Sequence, residues 1–204
     1  MKIGWKGRVT MCKKISEIHG LQPNDILNAY FDSTASFVNM QDILSKMSIF
    51  CIKTDFSELE KNLNLSEDDA IWGLAASHGE ELIIAYSKKL ELNMQNYVLA
   101  HELGHCCLHL PISAEFHVEL KRANDVYSDS STIFLHRLSW KRTQVKSDKF
   151  AAKELEADKF AAQLLLPDVL LSKYRNRNGP HLAQSLSKDL KVPVHFVQDR
   201  IDFF

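Results

Sequence analysis

The stretch HELGHCCLHL, residues 101–110, sets two histidines four apart with a glutamate directly after the first. Positions four apart on an α-helix lie about 40° apart around the axis and about 6 Å along it, so His101 and His105 aim their imidazoles at a common point. That is a two-toothed metal clamp. Glu102, turned about 100° from His101, misses the ligand direction but borders the same cleft, where a carboxylate can hold and deprotonate a water. A catalytic zinc takes three protein ligands and keeps a fourth position open, so the chain must supply one more donor.

The best donor stands in KELEADKFAAQLLLP, residues 153–167. Glu154 and Asp158 are four apart and share one face of a second helix that can pack across the first. Glu154 would bind through oxygen, and Asp158, one turn on, would accept the outward N–H of a ligand histidine and fix its tautomer. Glu156, about 160° from Asp158, is expected to point away. His109 lies one turn beyond His105 and is either a fourth ligand or a hydrogen-bonded histidine behind the ligands. A fourth protein ligand would close the open position, which favours the second role. Cys106 and Cys107, about 140° and 240° from His101, face the core rather than the metal. His117, Tyr127, His136 and Tyr97 could each stabilise an oxyanion, and nothing in the sequence ranks them.

These side chains need elements to position them. The first 48 residues read as helical, with Asn39 a cap for a helix whose Ile43, Leu44 and Met47 share a face. Short apolar runs at 48–56, 70–77 and 81–88 predict strands, the last two joined by a hairpin turn at His78-Gly79-Glu80. Asn93 is the expected cap of a helix running through the histidines to Pro111. Between 111 and 149, EFHVEL alternates like a strand, while ANDVYSDSS and KRTQVKSDK are polar and read as loop. From about Lys149 the pattern is helical again, with Phe150, Leu155, Phe160, Leu164 and the alanines facing inward and Pro167 as the stop. Helices are expected near 168–175, at 181–190 and after Pro193. The expected fold is α+β: a small antiparallel sheet packed on an active-site helix, with a helical C-terminal half.

Composition adds bounds. With 204 residues and 45% hydrophobic content, one domain is expected over 1–204: a helical N-terminal segment (1–48), a metal-binding core (49–167) with an insertion at 111–149, and C-terminal helices (168–204). A net charge of −1, from 25 basic and 26 acidic residues, draws the chain neither to nucleic acid nor to an anionic membrane. The basic N-terminus is followed by no apolar run, and no stretch reaches the ~20 apolar residues of a membrane-spanning helix. Four cysteines without framework spacing suit a reduced, cytoplasmic protein.

HELGHCCLH followed by ELEADKFAAQLLLP resembles the ImmA/IrrE family of zinc metallopeptidases. The match is close over 98–110 and 152–167 and looser over the preceding sheet and the C-terminal helices. The resemblance implies a zincin-like fold, Zn2+ held by His101, His105 and Glu154, and Glu102 as catalytic base, as in thermolysin-like enzymes. It also implies site-specific cleavage of a helix-turn-helix transcriptional repressor of a mobile element or stress response. The 48 residues between His105 and Glu154 exceed the family's usual connection, so an insertion lining the cleft is expected. An extended substrate strand would lie along the sheet edge beside the cleft. Two other readings stay open: a regulatory module that binds a repressor without cutting it, and a DNA-binding regulator using LAQSLSKDLKVPVHFVQDRI, residues 182–201. The run YRNRNGPH reads as a solvated linker.

Overall fold

The computed structural model describes residues 13–62, 65, 70–110, 113–117, 134–137, 148–174 and 181–201. Three short helices come first: α1 (Ile15–Ile18), α2 (Pro23–Tyr30) and α3 (Met40–Lys46). Asn39 caps α3 as expected, its Oδ1 accepting the backbone N–H groups of Gln41 at 3.1 Å and Asp42 at 3.4 Å. Strand β1 (Phe50–Thr54) follows, then α4 (Ser57–Asn62), which the sequence reading missed.

β2 (Ile71–Gly79) and β3 (Glu81–Ser87) form the expected hairpin. His78 pairs with Glu81, and Gly79 turns the chain at a φ of +59°, a conformation that favours glycine. The sheet is not antiparallel throughout, however. β1 lies beside β3 and runs parallel to it, from Phe50 opposite Ile83 to Thr54 opposite Ser87. The reason is written in β3 itself: LIIAY is apolar at every position and mostly buried, the pattern of a central strand rather than an outer one. The helical connection through α4 lets β2 settle beyond β3.

The other side of β2 is taken up by the 111–149 region. β4 (Ser113–His117), which takes in the first three residues of EFHVEL, pairs antiparallel with β2 near Ser77–Gly79. β5 (Phe134–Arg137), which was not expected, pairs with Ile71–Ala75. The sheet edge nearest the histidine helix is therefore built by the insertion's own strands. The run ANDVYSDSS, residues 141–147 of the run KRTQVKSDK, Pro111, Tyr127 and the linker at 175–180 lie outside the described residues, while Asp148 and Lys149, which end the second run, already belong to the helix that begins at Asp148.

The histidines sit on α5 (Leu92–Leu108), which packs across β2 and β3. Its N-cap position is Glu91, not Asn93: Glu91 has extended backbone, and its carbonyl accepts the N–H of Gln95 at 2.8 Å, so the first helical bond already starts there. On the side of α5 away from the sheet lies α6 (Asp148–Leu165), followed by α7 (Asp168–Leu171), a 3-10 turn (Ser172–Tyr174), α8 (Leu182–Leu190) and α9 (Val194–Ile201). Phe160, Leu164, Ala157 and Ala161 of α6 are buried as expected, but Ala152 and Leu155 are exposed, Leu155 because it stands about 160° around the helix from the buried Ala157, and the side chain of Phe150 lies outside the described residues. Leu186, Leu190, Val192, Phe196 and Val197 are buried in the same core as Leu99 and Leu103, so α8 and α9 pack onto the histidine helix.

One buried amide ties these parts together. Asn96 on α5 accepts the N–H of Met40 at 2.9 Å and donates to the carbonyls of Val38 at 2.7 Å and Lys191 at 3.3 Å. Among the described residues no helix is long and apolar enough to cross a membrane.

Candidate metal centre

A four-residue spacing becomes a cleft because α5 places His101 and His105 one turn apart, both fully buried. Their Nε2 atoms are 2.9 Å apart. Glu154 reaches in from α6, with Oε2 3.4 Å from His101 Nε2 and Oε1 3.2 Å from His105 Nε2. The two helices can approach this closely because a glycine stands at their crossing. A Cβ on Gly104 would sit 3.2 Å from both Ala157 Cα and Phe160 Cβ.

The outward ring nitrogens are held from behind. His101 Nδ1 lies 2.8 Å from Asp158 Oδ1, and the Tyr97 hydroxyl donates to the same oxygen at 2.6 Å. A carboxylate only accepts, so His101 Nδ1 carries a hydrogen, and its Nε2 faces the cleft, free to ligate when the ring is neutral. His105 Nδ1 meets His109 Nδ1 at 2.9 Å, and His109 Nε2 meets Glu156 Oε2 at 2.9 Å. Glu156 points away from the ligand histidines, as expected, but it is not without a role, since it engages His109. Glu156 does miss the point where Asp158 works, but the last turn of α5 carries His109 to the side of α6 on which Glu156 stands. His109 has both ring nitrogens engaged in this chain and stands behind His105.

With both rings neutral, two imidazole lone pairs and a carboxylate would meet at one buried point, a repulsive arrangement that a bound cation, or a proton on His101, relieves. The donor set of two nitrogens and one oxygen, with atoms all within 4.8 Å of one another, could hold a metal ion. It matches the ligand count of a catalytic site that keeps one position open. Glu102, fully buried, borders the same space, and its carboxylate oxygens have no hydrogen-bond partner among the described residues.

Titration in the metal-free fold follows from this crowding. Burial alone would depress His101, but hydrogen bonds to Asp158 and Glu154 and the charge of Glu102 override it and lift its pKa to about 10. Burial carries His105 down to about 4, reinforced by neighbouring His101 and opposed by Glu154. Burial likewise raises Glu102 well above the ordinary carboxylate range, with His101 pulling the other way and Glu154 adding to the rise. Cys106 and Cys107 are both buried, as expected, and burial raises both thiols, Cys107 to about 12, which disfavours the thiolate that metal binding needs.

All six residues singled out in the sequence gather here: His101, Glu102, His105 and Glu154 around the cleft, Asp158 and His109 behind the histidines. Of the four oxyanion candidates, Tyr97 commits its hydroxyl proton to Asp158. The side chains of the other three lie outside the described residues, although the backbone of His136 pairs with Gly73. Sequence reasoning missed Tyr97 as Asp158's partner, Glu156 as His109's and Gly73 as the wall beside Glu102. Tyr97 carried a signal, since it stands one four-residue step before His101 on the same helical face.

No curated protein and no solved structure matches the chain. The sequence profile of a peptidase family, described as the IrrE N-terminal-like domain, does match, over residues 64–202. That span takes in β2, the histidine helix, the glutamate helix and the C-terminal pair, well over half of the chain, and so the protein belongs to the IrrE N-terminal-like peptidase family.

Proposed function

We propose that the protein is a zinc-dependent endopeptidase in which His101, His105 and Glu154 hold the metal and Glu102 is the catalytic base. The observation that carries this reading is the convergence of His101 Nε2, His105 Nε2 and a Glu154 oxygen on one buried point bordered by Glu102. Bound zinc supplies Lewis-acid polarisation of the scissile carbonyl and lowers the pKa of the attacking water. Glu102 takes that water's proton and returns it to the leaving amine. Asp158 and His109 keep the ligand rings in the tautomer that faces the cleft.

The substrate is an extended segment of a helix-turn-helix repressor from a mobile element or stress response, cut in the cytoplasm. Its pairing edge is the outer side of β5 rather than β2, because β5 already occupies β2 beside Gly73. The whole chain works as one domain, with the 111–149 insertion narrowing access.

Co-expression with the repressor encoded beside the gene, followed by mass spectrometry of the fragments, tests this reading. Wild type should yield two fragments and Glu102→Gln none, with zinc content equal in both. An intact repressor with wild type, under conditions where repression is nonetheless relieved, would replace cleavage by binding without cutting.

A further inference from the structure

We infer that Glu156 is a positioning residue acting at a distance of two rings: through His109 it fixes the tautomer and orientation of His105. The inference rests on the metallopeptidase reading. It starts from two contacts of 2.9 Å, Glu156 Oε2 to His109 Nε2 and His109 Nδ1 to His105 Nδ1.

The hydrogen-bond inventory leaves one assignment. An ionised carboxylate has no hydrogen to give, so His109 must donate from Nε2. A neutral imidazole with its hydrogen on Nε2 has only an acceptor at Nδ1, so His105 must donate from Nδ1. The lone pair of His105 is then on Nε2, which faces His101 and Glu154. A carboxylate on the outside of α6 thereby sets the electron pair at the centre of the cleft.

Without Glu156, both tautomers of His109 become comparable, and the one carrying hydrogen on Nδ1 confronts His105 with a donor. His105 would answer with its own lone pair on Nδ1 and a hydrogen on Nε2, the form that cannot ligate a metal. Asp158 does the same service for His101 in a single step. The two ligand histidines are thus oriented by arms of unequal length, both rooted on α6. Burial is graded along the longer arm: the side chain of Glu156 is 61% exposed, that of His109 5% and that of His105 0%. Substituting Glu156 therefore leaves the core intact.

The test uses the full chain in metal-free and zinc-loaded forms, with zinc affinity measured by competition against a chromophoric chelator. Tautomers are read from long-range proton–nitrogen correlations of the imidazoles in 15N-labelled metal-free protein. Loss of an orienting partner typically weakens metal binding by about 10- to 100-fold. His109→Ala should fall in that range, Glu156→Gln should lose about tenfold, and the double variant should be no weaker than His109→Ala alone, because Glu156 acts only through His109. In the metal-free wild type His105 should carry its hydrogen on Nδ1 and His109 on Nε2, and in Glu156→Gln both should become tautomer mixtures. Wild-type affinity and unchanged tautomers in Glu156→Gln, or losses that add in the double variant, would overturn the relay alone. A wild-type protein that takes up no zinc would sink the metallopeptidase reading, and the relay with it.

Discussion

A methyl group placed on Gly73 of β2 would stand 2.4 Å from Oε1 of Glu102 and 2.5 Å from Cγ1 of Val98. The bare backbone of the strand is thus the wall against which the buried carboxylate is set. Gly73→Ala should push Glu102 out of place while leaving His101, His105 and Glu154 untouched. We expect full zinc content with peptide hydrolysis reduced about 100-fold, the scale of an ångström's misplacement in an active site. Zinc analysis and cleavage rate on the same preparation check it, and unimpaired hydrolysis would show that Glu102 has room to spare.

Gly104→Ala loads the α5–α6 crossing instead. The neighbours it would meet are the backbone of Ala157 and the Cβ of Phe160, neither of which is the free end of a flexible chain. The helices must part by a few tenths of an ångström, at a cost of about 1–3 kcal/mol for overpacking a filled core. Because Glu154 rides on α6, zinc affinity should fall together with the urea midpoint. A stability loss with unchanged affinity would mean that Glu154 follows the metal rather than its helix.

Asp158 accepts from two donors, so its removal and the removal of one donor should differ. Asp158→Ala should weaken zinc binding by about 10- to 100-fold, since His101 loses its orienting partner. Tyr97→Phe deletes one hydrogen bond to Asp158 and leaves the contact with His101, so its effect should be several-fold smaller. Equal losses, measured by chelator competition, would make Tyr97 as important to the ligand ring as the carboxylate itself.

The metal-free protein should lose stability as pH rises above neutrality. His101 keeps a proton to about pH 10 in the fold, against 6.5 in the unfolded chain, and burial holds a proton on Glu102 above the 4.5 of an exposed glutamate. The folded state therefore binds more protons than the unfolded one in this window, and stability falls with pH. His105, already depressed to about 4, is neutral in both states above pH 7 and contributes nothing there. Urea midpoints of chelator-treated protein should decline from pH 7 to 10, and the zinc-loaded protein should show a shallower slope. A flat profile without metal would place the protons elsewhere.

The parts legible in the sequence were those governed by helical periodicity. The four-residue step brought His101 to His105 and Glu154 to Asp158 without knowledge of the rest of the fold. Side chains meeting across elements were harder, as Glu156 shows: its direction on its own helix was read correctly, yet its partner was set by where the final turn of another helix ends. Sheet order failed for a similar reason. Three apolar runs fit a simple antiparallel meander, and only the unbroken apolarity of LIIAY indicated that β3 belongs in the middle. β5 was missed because TIFLHRLSW, the nine residues between the two polar runs, is rich in apolar side chains but shows no strict alternation that would mark a strand.

The amide of Asn96 has a consequence in time. It closes on carbonyls at Val38 and Lys191, on opposite sides of it along the chain. During synthesis at about 5–20 residues per second, the roughly 95 residues from Asn96 to Lys191 take about 5–20 s to add. Throughout that interval the histidine helix exists with one of its clasps open, and for much of it without Glu154. The cutting centre is thus assembled late, when most of the chain that must survive its appearance has already been made.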